Sequence, residues 1–408
     1  MAADRSQGIA DRASVETARA WLAAQAGTLG SEDVPITDGA DRTLAEAVRS
    51  NLDLPPFDRA SIDGIAVRAD ETVGASTYNP SIFRCLTASA DLAPGAAVRI
   101  NAGEPLPGGA DAVIASEHVG LDQRGAGIVT EPVVAGSGTE RRGSQGTRGS
   151  TLIPAGRRLA ARDIGILAAA GLARVSVVRK PRVRCLLSEG ASAAGTPLPA
   201  GKVYDANGPL LCALIERDGG IVAEQRTIAR DRALLRHALL VPGADIVLVA
   251  GGTGSGGGDH AAVALAEAGE LAIHGVALRH AESAGMGIAL GNLVLLLPGT
   301  PVACLLAYEF LAGPAIRRLG GRNPGFPFPI RKMTITRKIV SEISMTELRP
   351  VRCPTEDLAE PIAGFAEAGL KAVSEANGFV LMPEGSEGYP QGAGVTVYLY
   401  EGYERARS

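Results

Sequence analysis

Aromatic residues and cysteine pairs are scarce in this chain of 408 residues. Seven Phe, seven Tyr and one Trp leave the cores to be built mainly from Ala, Val, Leu and Ile. The five cysteines are scattered without a CxxC pair, and three lie within apolar runs, which predicts buried thiols in a cytosolic protein. The five histidines show no HxxxH or HxH spacing, so a zinc enzyme is not expected.

A basic surface and a long apolar run are also missing. The formal net charge of -4 argues against a nucleic-acid binder, whose charge would be positive. The apolar run at 293–297 is far shorter than the ~20 residues of a membrane-spanning helix. The N-terminal segment is polar and lacks the apolar region of a signal peptide. We therefore expect a cytoplasmic protein without a membrane or nucleic-acid partner.

Glycine and proline, by contrast, are abundant, with 52 and 25 residues, a share well above the average. They cluster between apolar runs, which predicts tight turns and close backbone approaches. At about 150 residues per domain, the chain length predicts two to four domains.

The first half of the chain mixes helix and short strand patterns. Good helix formers over 14–25 predict a helix with Ser14 as its N-cap. Short β-prone runs alternate with turn residues over 80–135, which predicts a small all-β unit. A second helix is predicted over 161–171.

From residue 182 onward, strand and helix patterns alternate. Near-continuous apolar strands separated by helices of about ten residues predict a parallel sheet covered on both faces. The predicted strands are 183–188, 246–250, 276–279 and 293–297, and the predicted helices are 209–218, 231–240 and 261–268. Another helix opens at Thr300-Pro301, and Pro314 should kink or end it. Residues 329–405 predict a C-terminal β domain.

The most conspicuous motif is a glycine loop, GGTGSGGGD at 251–259, between a predicted strand and a predicted helix. It contains the GxGxxG spacing, so a dinucleotide site, another phosphate or pterin site and a structural turn are all open. The loop does not follow the first strand of its region, and the next acids come too early for a ribose, which disfavours the dinucleotide site. Asp259 can bind a metal or a hydroxyl group, or cap the helix.

Two further Gly/Pro-rich segments are candidate sites. The segment at 54–64 carries Asp58 and Asp63, whose carboxylates suit Mg²⁺ or a polar ring, or else form Asx-turns. Pro298-Gly299-Thr300 joins a predicted strand to a helix N-terminus, which suits an anion.

Taken in order, six segments resemble the molybdopterin molybdenumtransferase family, of the bacterial MoeA and eukaryotic gephyrin E-domain type. The resemblance extends from about residue 10 to 400. The segments are LPPFDRASIDGIAVR, NAGEPLPGGADAVI, VYDANGPLLCALI, the glycine loop at 251–259, LPGTPVACLLAYEFLAGPAIRRL and SEANGFVLMPEG.

The resemblance implies an elongated, multi-domain α/β plus β subunit that forms a homodimer. A discontinuous N-terminal linker domain would carry an inserted small β domain, followed by a MogA-like α/β domain with a parallel sheet and a C-terminal β-barrel. The expected ranges are 10–52 with 140–178, 53–139, 179–325 and 329–405.

The implied reaction depends on Mg²⁺. Adenylylated molybdopterin is hydrolysed and molybdate is placed on its dithiolene, which gives molybdenum cofactor and AMP. The resemblance implies that Asp63 and Asp259 bind the metal ion and are catalytic. It implies that Arg279 is also catalytic and binds the molybdate oxyanion. The implied cofactor-binding residues are Asp205, Asn207, Asp231, Gly251, Gly252, Gly256, Pro298, Gly299 and Thr300.

The sequence departs from the family at several of its chemical positions. Both acids of the TGDEL motif are missing near Glu189, and the PGNP asparagine is Thr300. The two KPGKP lysines are Arg279 and Glu282, so one cation of an oxyanion site has become an anion. A serine expected before the ANG motif is Ala372.

Two hypotheses follow. The chain is a divergent molybdenumtransferase, or it is a catalytically reduced paralogue that binds molybdopterin or nucleotide as a carrier or scaffold. The implied partners are a second copy of the chain and a MogA-type adenylyltransferase or a client molybdoenzyme.

Overall fold

A computed structural model describes residues 12–87, 91–365 and 369–400. The chain divides into two compact units, one formed by residues 33–177 and the other by the segments on either side of them. Strands Ser31–Pro35 and Arg174–Val178 pair where the chain passes between the units. Of the predicted ranges, residues 10–11, 88–90, 366–368 and 401–405 lie outside the described part. The four-part domain division stays a prediction.

The 33–177 unit is built around a six-stranded sheet. In spatial order its strands are Ala112–Ala115, Gly64–Val67, Ala96–Ile100, Ser81–Leu86, Gly127–Val129 and Val119–Leu121. Five of these six strands fall within the segment for which the sequence predicts a small all-β unit. The unit also contains two short antiparallel pairs, Val48–Arg49 with Thr151–Ile153 and Arg59–Ala60 with Thr139–Glu140, and three 3-10 turns, Ile36–Asp38, Ala69–Thr72 and Ser116–His118.

The helix Ala161–Ala169 belongs to a second small core of this unit. Leu167 packs there with Leu44, Leu159 and Val177. The predicted helix over 161–171 is therefore confirmed, with an end two residues earlier because Gly171 takes a positive φ of 73°.

The other unit begins with the helix Val15–Gln25, in which the Ser14 hydroxyl accepts a hydrogen bond from the Thr17 N–H, as predicted. Its main element is a six-stranded mixed sheet. In spatial order the strands are Ile221–Ile228, Arg182–Ser188, Ile246–Ala250, Asn292–Leu297, Gly285–Ala289 and Gly269–His274. The first four pair in parallel. Gly285–Ala289 is antiparallel to both of its neighbours, Asn292–Leu297 and Gly269–His274.

The helices of this unit cover both faces of the sheet. Besides Val15–Gln25, those that pack around the sheet are Asn207–Arg217, Arg232–Leu239, Ala261–Ala268, Pro301–Ala307 and Gly313–Leu319, and a π-helical turn, Tyr308–Ala312, joins the last two. Alternate residues of the central strands point to opposite sides, so that Leu248 belongs to one core and Val247 to another. The predicted parallel sheet with two covered faces is thereby confirmed. The helix that begins at Pro301 is interrupted by the π-helical turn Tyr308–Ala312, just before Pro314, whose nitrogen cannot donate a hydrogen bond.

One strand predicted for this unit is wrong, and three strands of its six-stranded sheet are missed. Residues 276–278 are buried, but 276–279 form only isolated bridges, at Val276 and Leu278, between the positive-φ residues Gly275 and His280. The missed strands are Ile221–Ile228, Gly269–His274 and Gly285–Ala289. Two of these are edge strands, which stay partly exposed and so lack a continuous apolar run.

The C-terminal region forms the predicted β domain, a closed five-stranded barrel. Its strands are, in chain order, Ile330–Ile335, Glu347–Arg352, Leu358–Pro361, Gly378–Met382 and Gly394–Leu399. The helix Leu370–Glu375 and the pair Ile339–Val340 with Gly388–Tyr389 complete this region, and a small parallel pair, Ala191–Ser192 with Val203–Tyr204, belongs to the α/β part. In the described part of the chain, no helix is long and apolar enough to cross a membrane.

Candidate functional site

The carboxyl ends of the four parallel strands lie at one edge of the sheet. The strand Arg182–Ser188 comes first in the chain but lies between the second, Ile221–Ile228, and the third, Ile246–Ala250. The strand order therefore changes direction beside Ser188. In open α/β sheets, ligands bind in the crevice outside the carboxyl ends of the strands at such a point.

The glycine loop begins at this point and contacts its neighbours through backbone. Gly251 and Gly252 have φ angles of 93° and 67°, which other residues rarely adopt. A Cβ on Gly251 would lie 2.9 Å from the Cβ of Ser188, and a Cβ on Gly299 would lie 3.2 Å from the Cα of Gly251. The two predicted anion-binding turns thus meet backbone to backbone. A side chain at Gly299 would push them apart, and one at Gly251 would collide with Ser188.

Asp205 and Asn207 fix the segment that leads into the next helix. The Asp205 Oδ1 accepts a hydrogen bond of 2.9 Å from the Gly208 N–H. The Asn207 Nδ2 donates to the Gly299 carbonyl at 2.8 Å. The structure therefore joins two separate sequence motifs, at 205–207 and 298–300, in one site.

Asp231 and Asp259 have local structural roles at the same edge. Asp231 is the N-cap of the helix Arg232–Leu239 and accepts from the Leu234 N–H at 2.8 Å. Its neighbours Ser188, Gly251 and Gly252 line a narrow slot with it.

Asp259 does not cap the helix that follows it, so that alternative is wrong. The N-cap is His260, without a side-chain hydrogen bond. The Asp259 Oδ2 instead accepts from the Gly256 N–H at 3.0 Å, and a Cβ on Gly254 would lie 2.6 Å from that oxygen. The glycine loop curls around this carboxylate because its glycines leave room for it.

Arg279 is engaged by acidic side chains. Its Nη1 lies 2.7 Å from Glu342 Oε2 and 3.9 Å from Glu282 Oε1. Glu282 also lines a cavity of about 610 Å³ together with His280 and Thr300. The guanidinium expected to hold an oxyanion thus already has two carboxylates near it, and one of them stands where the family has a lysine.

Asp63 lies in the 33–177 unit. Its Oδ1 accepts from the Ala102 N–H at 2.7 Å, and it lines a cleft of about 440 Å³ with Asn101 and Glu104. The backbone N–H and side-chain amide of Asn101 hold the pKa of Glu104 below its usual value, against burial and the charge of Asp63.

Asp58, the other acid predicted in this segment, accepts a hydrogen bond from the Arg142 N–H at 2.7 Å. This bond shapes the loop.

The described residues do not form a metal centre from protein side chains alone. Within residues 12–87, 91–365 and 369–400, no group of three or more His, Cys, Asp or Glu side chains is placed to hold a metal ion.

Burial raises the pKa of Cys185 and Cys304 to about 12, so these thiols stay protonated, and their burial agrees with the sequence prediction.

Sequence reasoning missed Thr253, His274 and Ser283. Thr253 reads as a spacer within the glycine loop, yet it is buried and hydrogen-bonds to the other two residues. The signal that could have identified it is a β-branched hydroxyl residue directly after the first two glycines of the loop. Glu342 was missed as well, because a sequence does not show which acid faces Arg279.

The comparisons with known proteins agree with this geometry. A family described as "Probable molybdopterin binding domain" matches residues 187–318, which contain five of the six strands of the sheet and both glycine turns. The fold and this site therefore define a protein with a MogA-like, molybdopterin-binding α/β domain. A second family, "MoeA N-terminal region (domain I and II)", matches residues 13–171.

Full-length relatives show the same family. A molybdopterin biosynthesis MoeA protein from Pyrococcus horikosii is 31% identical, with 96% of this chain and 100% of that chain covered and a TM-score of 0.78. Molybdopterin molybdenumtransferase from Staphylococcus aureus (strain MRSA252) is 27% identical over 92% of this chain and 93% of its own length. Molybdopterin molybdenumtransferase 2 from Mycobacterium tuberculosis (strain CDC 1551 / Oshkosh) is 29% identical over 86% and 90%. The chain belongs to the MoeA family of molybdenum cofactor biosynthesis.

Proposed function

We propose that this protein inserts molybdate into adenylylated molybdopterin in a Mg²⁺-dependent reaction that releases AMP. The observation that carries the proposal is the meeting of Gly251 and Gly299 at the point where the strand order reverses. Backbone-built turns at the carboxyl edge of a parallel sheet suit a phosphate-bearing ligand. The family relationship identifies that ligand as a molybdopterin derivative.

At this edge of the sheet, some residues would contact the ligand and others hold those residues in place. The turns at 251–256 and 298–300 would bind the diphosphate that links pterin and AMP. Asn207 holds the second turn in place through the Gly299 carbonyl, and Asp205 holds the helix start behind it. Hydrolysis then breaks the phosphoanhydride bond with one water, so that AMP leaves and molybdopterin keeps its own phosphate.

Mg²⁺ fits this site only together with substrate oxygens. It prefers six oxygen ligands and commonly binds one or two carboxylates plus phosphates and waters. Asp259 offers one such carboxylate, held at the glycine loop by the Gly256 N–H. When bound, the ion would neutralise charge on the diphosphate, and Asp259 would fix its position. Asp63 stays a separately proposed metal-binding carboxylate within the 33–177 unit.

The test is AMP release from adenylylated molybdopterin with Mg²⁺ and molybdate. Asp259→Asn keeps an oxygen for the Gly256 N–H but removes the charge, so we expect a roughly hundredfold loss of rate with little loss of stability. Glu267→Gln, in an exposed ion pair with Arg232, is the matched control and should retain the rate. Wild-type protein that binds molybdopterin without releasing AMP would contradict the enzyme proposal.

A second candidate function is favoured by the surroundings of Arg279. Two carboxylates, Glu282 and Glu342, face its guanidinium and oppose the binding of an oxyanion. On this proposal the protein binds molybdopterin or nucleotide as a carrier or scaffold for a molybdoenzyme and does not bind molybdate.

Glu282→Lys separates the two candidates, because it restores the charge that the family has at this position. If the protein is a carrier, molybdate affinity measured by calorimetry should rise at least about tenfold in this variant. A wild-type protein that already binds molybdate and gains nothing from the substitution would exclude the carrier. Calorimetry that detects no binding of molybdopterin or AMP would exclude both candidates.

We also propose that the protein acts as a homodimer, as the family relationship suggests. Sedimentation equilibrium should give twice the 41.7 kDa mass of the chain. A single species at the mass of one chain would contradict this.

A further inference from the structure

Thr253 lies two residues beyond the first glycine of the loop, and its side chain is buried, with 2% exposure. Its Oγ1 lies 3.0 Å from the Oγ of Ser283, a hydroxyl pair in which either group can donate. Its carbonyl oxygen lies 2.8 Å from Nε2 of His274. Because a carbonyl only accepts, His274 must carry a proton on Nε2 to donate there.

The two partners belong to parts of the chain that border the site. His274 ends the edge strand Gly269–His274, and Ser283 directly follows Glu282. Glu282 lines the same cavity as Thr300. On its other side, the glycine loop touches the second turn through Gly251 and Gly299. Three segments at the site are therefore connected through the first residues of the glycine loop.

This contact is not needed to fill space. A buried hydroxyl loses its hydrogen bonds to water and gains only about as much from a protein partner, so a valine of the same shape would serve packing equally well. A glycine-rich loop, however, has little side-chain packing of its own to select one conformation. The hydrogen bonds of Thr253 favour one conformation of the loop over the others.

We infer that Thr253, Ser283 and His274 are positioning residues that hold the glycine loop in register with the segment carrying Arg279 and Glu282. Their hydrogen bonds set the loop conformation before ligand binds. The loss of any one of them allows the loop to sample other conformations, and ligand affinity falls. Only the ligand measurement below depends on the proposed function.

The first measurement is hydrogen exchange of the backbone amides at 251–258 in the protein without ligand. Thr253→Val removes the hydroxyl at constant shape, and exchange there should accelerate roughly three- to tenfold, the range that corresponds to one neutral hydrogen bond. Thr253→Ser keeps the hydroxyl and should restore slow exchange. Thr196→Val is the control, since it removes a hydroxyl bond to Ala193 in another loop of the unit.

The second measurement is AMP affinity by calorimetry. Thr253→Val and Ser283→Ala should each weaken binding by a similar factor, and the double variant should bind no more weakly than the worse single variant, because one bond is lost in each case. Ser283→Ala leaves Thr253 in place, so it provides the test if the valine variant folds poorly.

Unchanged exchange at 251–258 in both Thr253→Val and Ser283→Ala would overturn the inference. So would exchange that accelerates equally in Thr253→Ser, because the hydroxyl would then not be the cause. If wild-type protein binds no AMP, the proposed function fails, and the exchange measurement alone decides on the positioning role.

Discussion

Two clusters of charged side chains in the same unit differ in burial and in balance. In the first, Arg217 lies 2.6 Å from Glu309 and 3.0 Å from Asp218, and Arg317 lies 2.8 Å from Asp218. Asp218, Glu309 and Arg317 are all buried, and the cluster contains two positive and two negative charges. Arg217 also stacks on the Phe328 ring at 5.5 Å.

The second cluster contains Arg279, Glu282 and Glu342. The side chains of Arg279 and Glu342 are 42% and 59% exposed, and one positive charge faces two negative charges. Water screens this cluster, so its contribution to stability is small. Its net charge instead decides which ligands can approach.

The comparison separates a structural role from a functional one. The balanced, buried cluster joins the end of the helix Asn207–Arg217 to the π-helical turn and to the helix Gly313–Leu319. Burial raises the pKa of Glu309 while Arg217 opposes that rise, and Glu309 and Asp218 raise the pKa of Arg217 despite its burial. The unbalanced, exposed cluster is free to change with the ligand, because the fold does not depend on it.

Glu309→Gln should have the largest effect on stability. It leaves two arginines with one carboxylate in a buried place, and removal of one partner from a buried pair costs about 3–5 kcal/mol. Urea denaturation measures this free energy of unfolding. Glu267→Gln in an exposed pair is the control and should change it by less than about 0.5 kcal/mol. A similar change in both variants would show that burial does not make the ion pairs of the first cluster more important than an exposed pair.

Gly313→Ala should have the next largest effect. The added Cβ would lie 2.7 Å from Asp218 Oδ2 and 2.9 Å from Arg317 Nη1, so the buried cluster must shift. Overpacking of this kind costs about 1–3 kcal/mol. In Gly165→Ala the added Cβ meets nothing within 4 Å inside the helix Ala161–Ala169, and stability should rise by roughly 0.5–1 kcal/mol. A stabilising Gly313→Ala would show that the cluster is loosely packed.

Glu342→Gln should change the free energy of unfolding by less than about 1 kcal/mol, since the pair with Arg279 is exposed. Differential scanning calorimetry at low and high salt is the measurement, and the small difference between variant and wild type should vanish at high salt. A loss comparable with that of Glu309→Gln would mean that the exposed cluster also supports the fold.

The pH dependence of stability should show the smallest effect, through His280. Burial and Arg279 lower the pKa of His280, and Glu282 and Glu347 oppose this while Arg349 adds to it. The folded protein thus disfavours protonated His280, so its contribution is complete above about pH 6.5 and declines as the pH falls below that value. His280→Asn should flatten the stability profile between pH 7 and 5.5. Parallel profiles for wild type and His280→Asn would contradict the assignment.

Much of the fold follows from local patterns. Ser14 caps its helix, the strand at 246–250 and the helix at 261–268 have the predicted bounds, and the turns at 251–252 and 298–300 follow buried strands. These features depend on neighbouring residues and on glycine geometry, so they are visible in a sequence. The edge strand Ile221–Ile228 was missed because it is partly exposed to solvent and therefore contains polar residues that interrupt its apolar pattern.

The partners of polar side chains could not be predicted in the same way. Arg279 meets Glu342, which is 63 residues away, and Asn207 meets Gly299, which is 92 residues away. Thr253 finds Ser283 and His274 only because the strands on either side bring them together. Each of these contacts depends on how separate elements pack.

The sequence by itself determined where backbone is tightly turned and where apolar strands run, because both depend on local residue chemistry. It also carried the motifs that placed the chain in its family. The tertiary structure alone decided which carboxylates surround Arg279, that Asp259 holds the glycine loop instead of capping a helix, and that Thr253 is buried. The physical reason is that hydrogen bonds and ion pairs act over a few ångströms, and only folding brings distant residues within that distance.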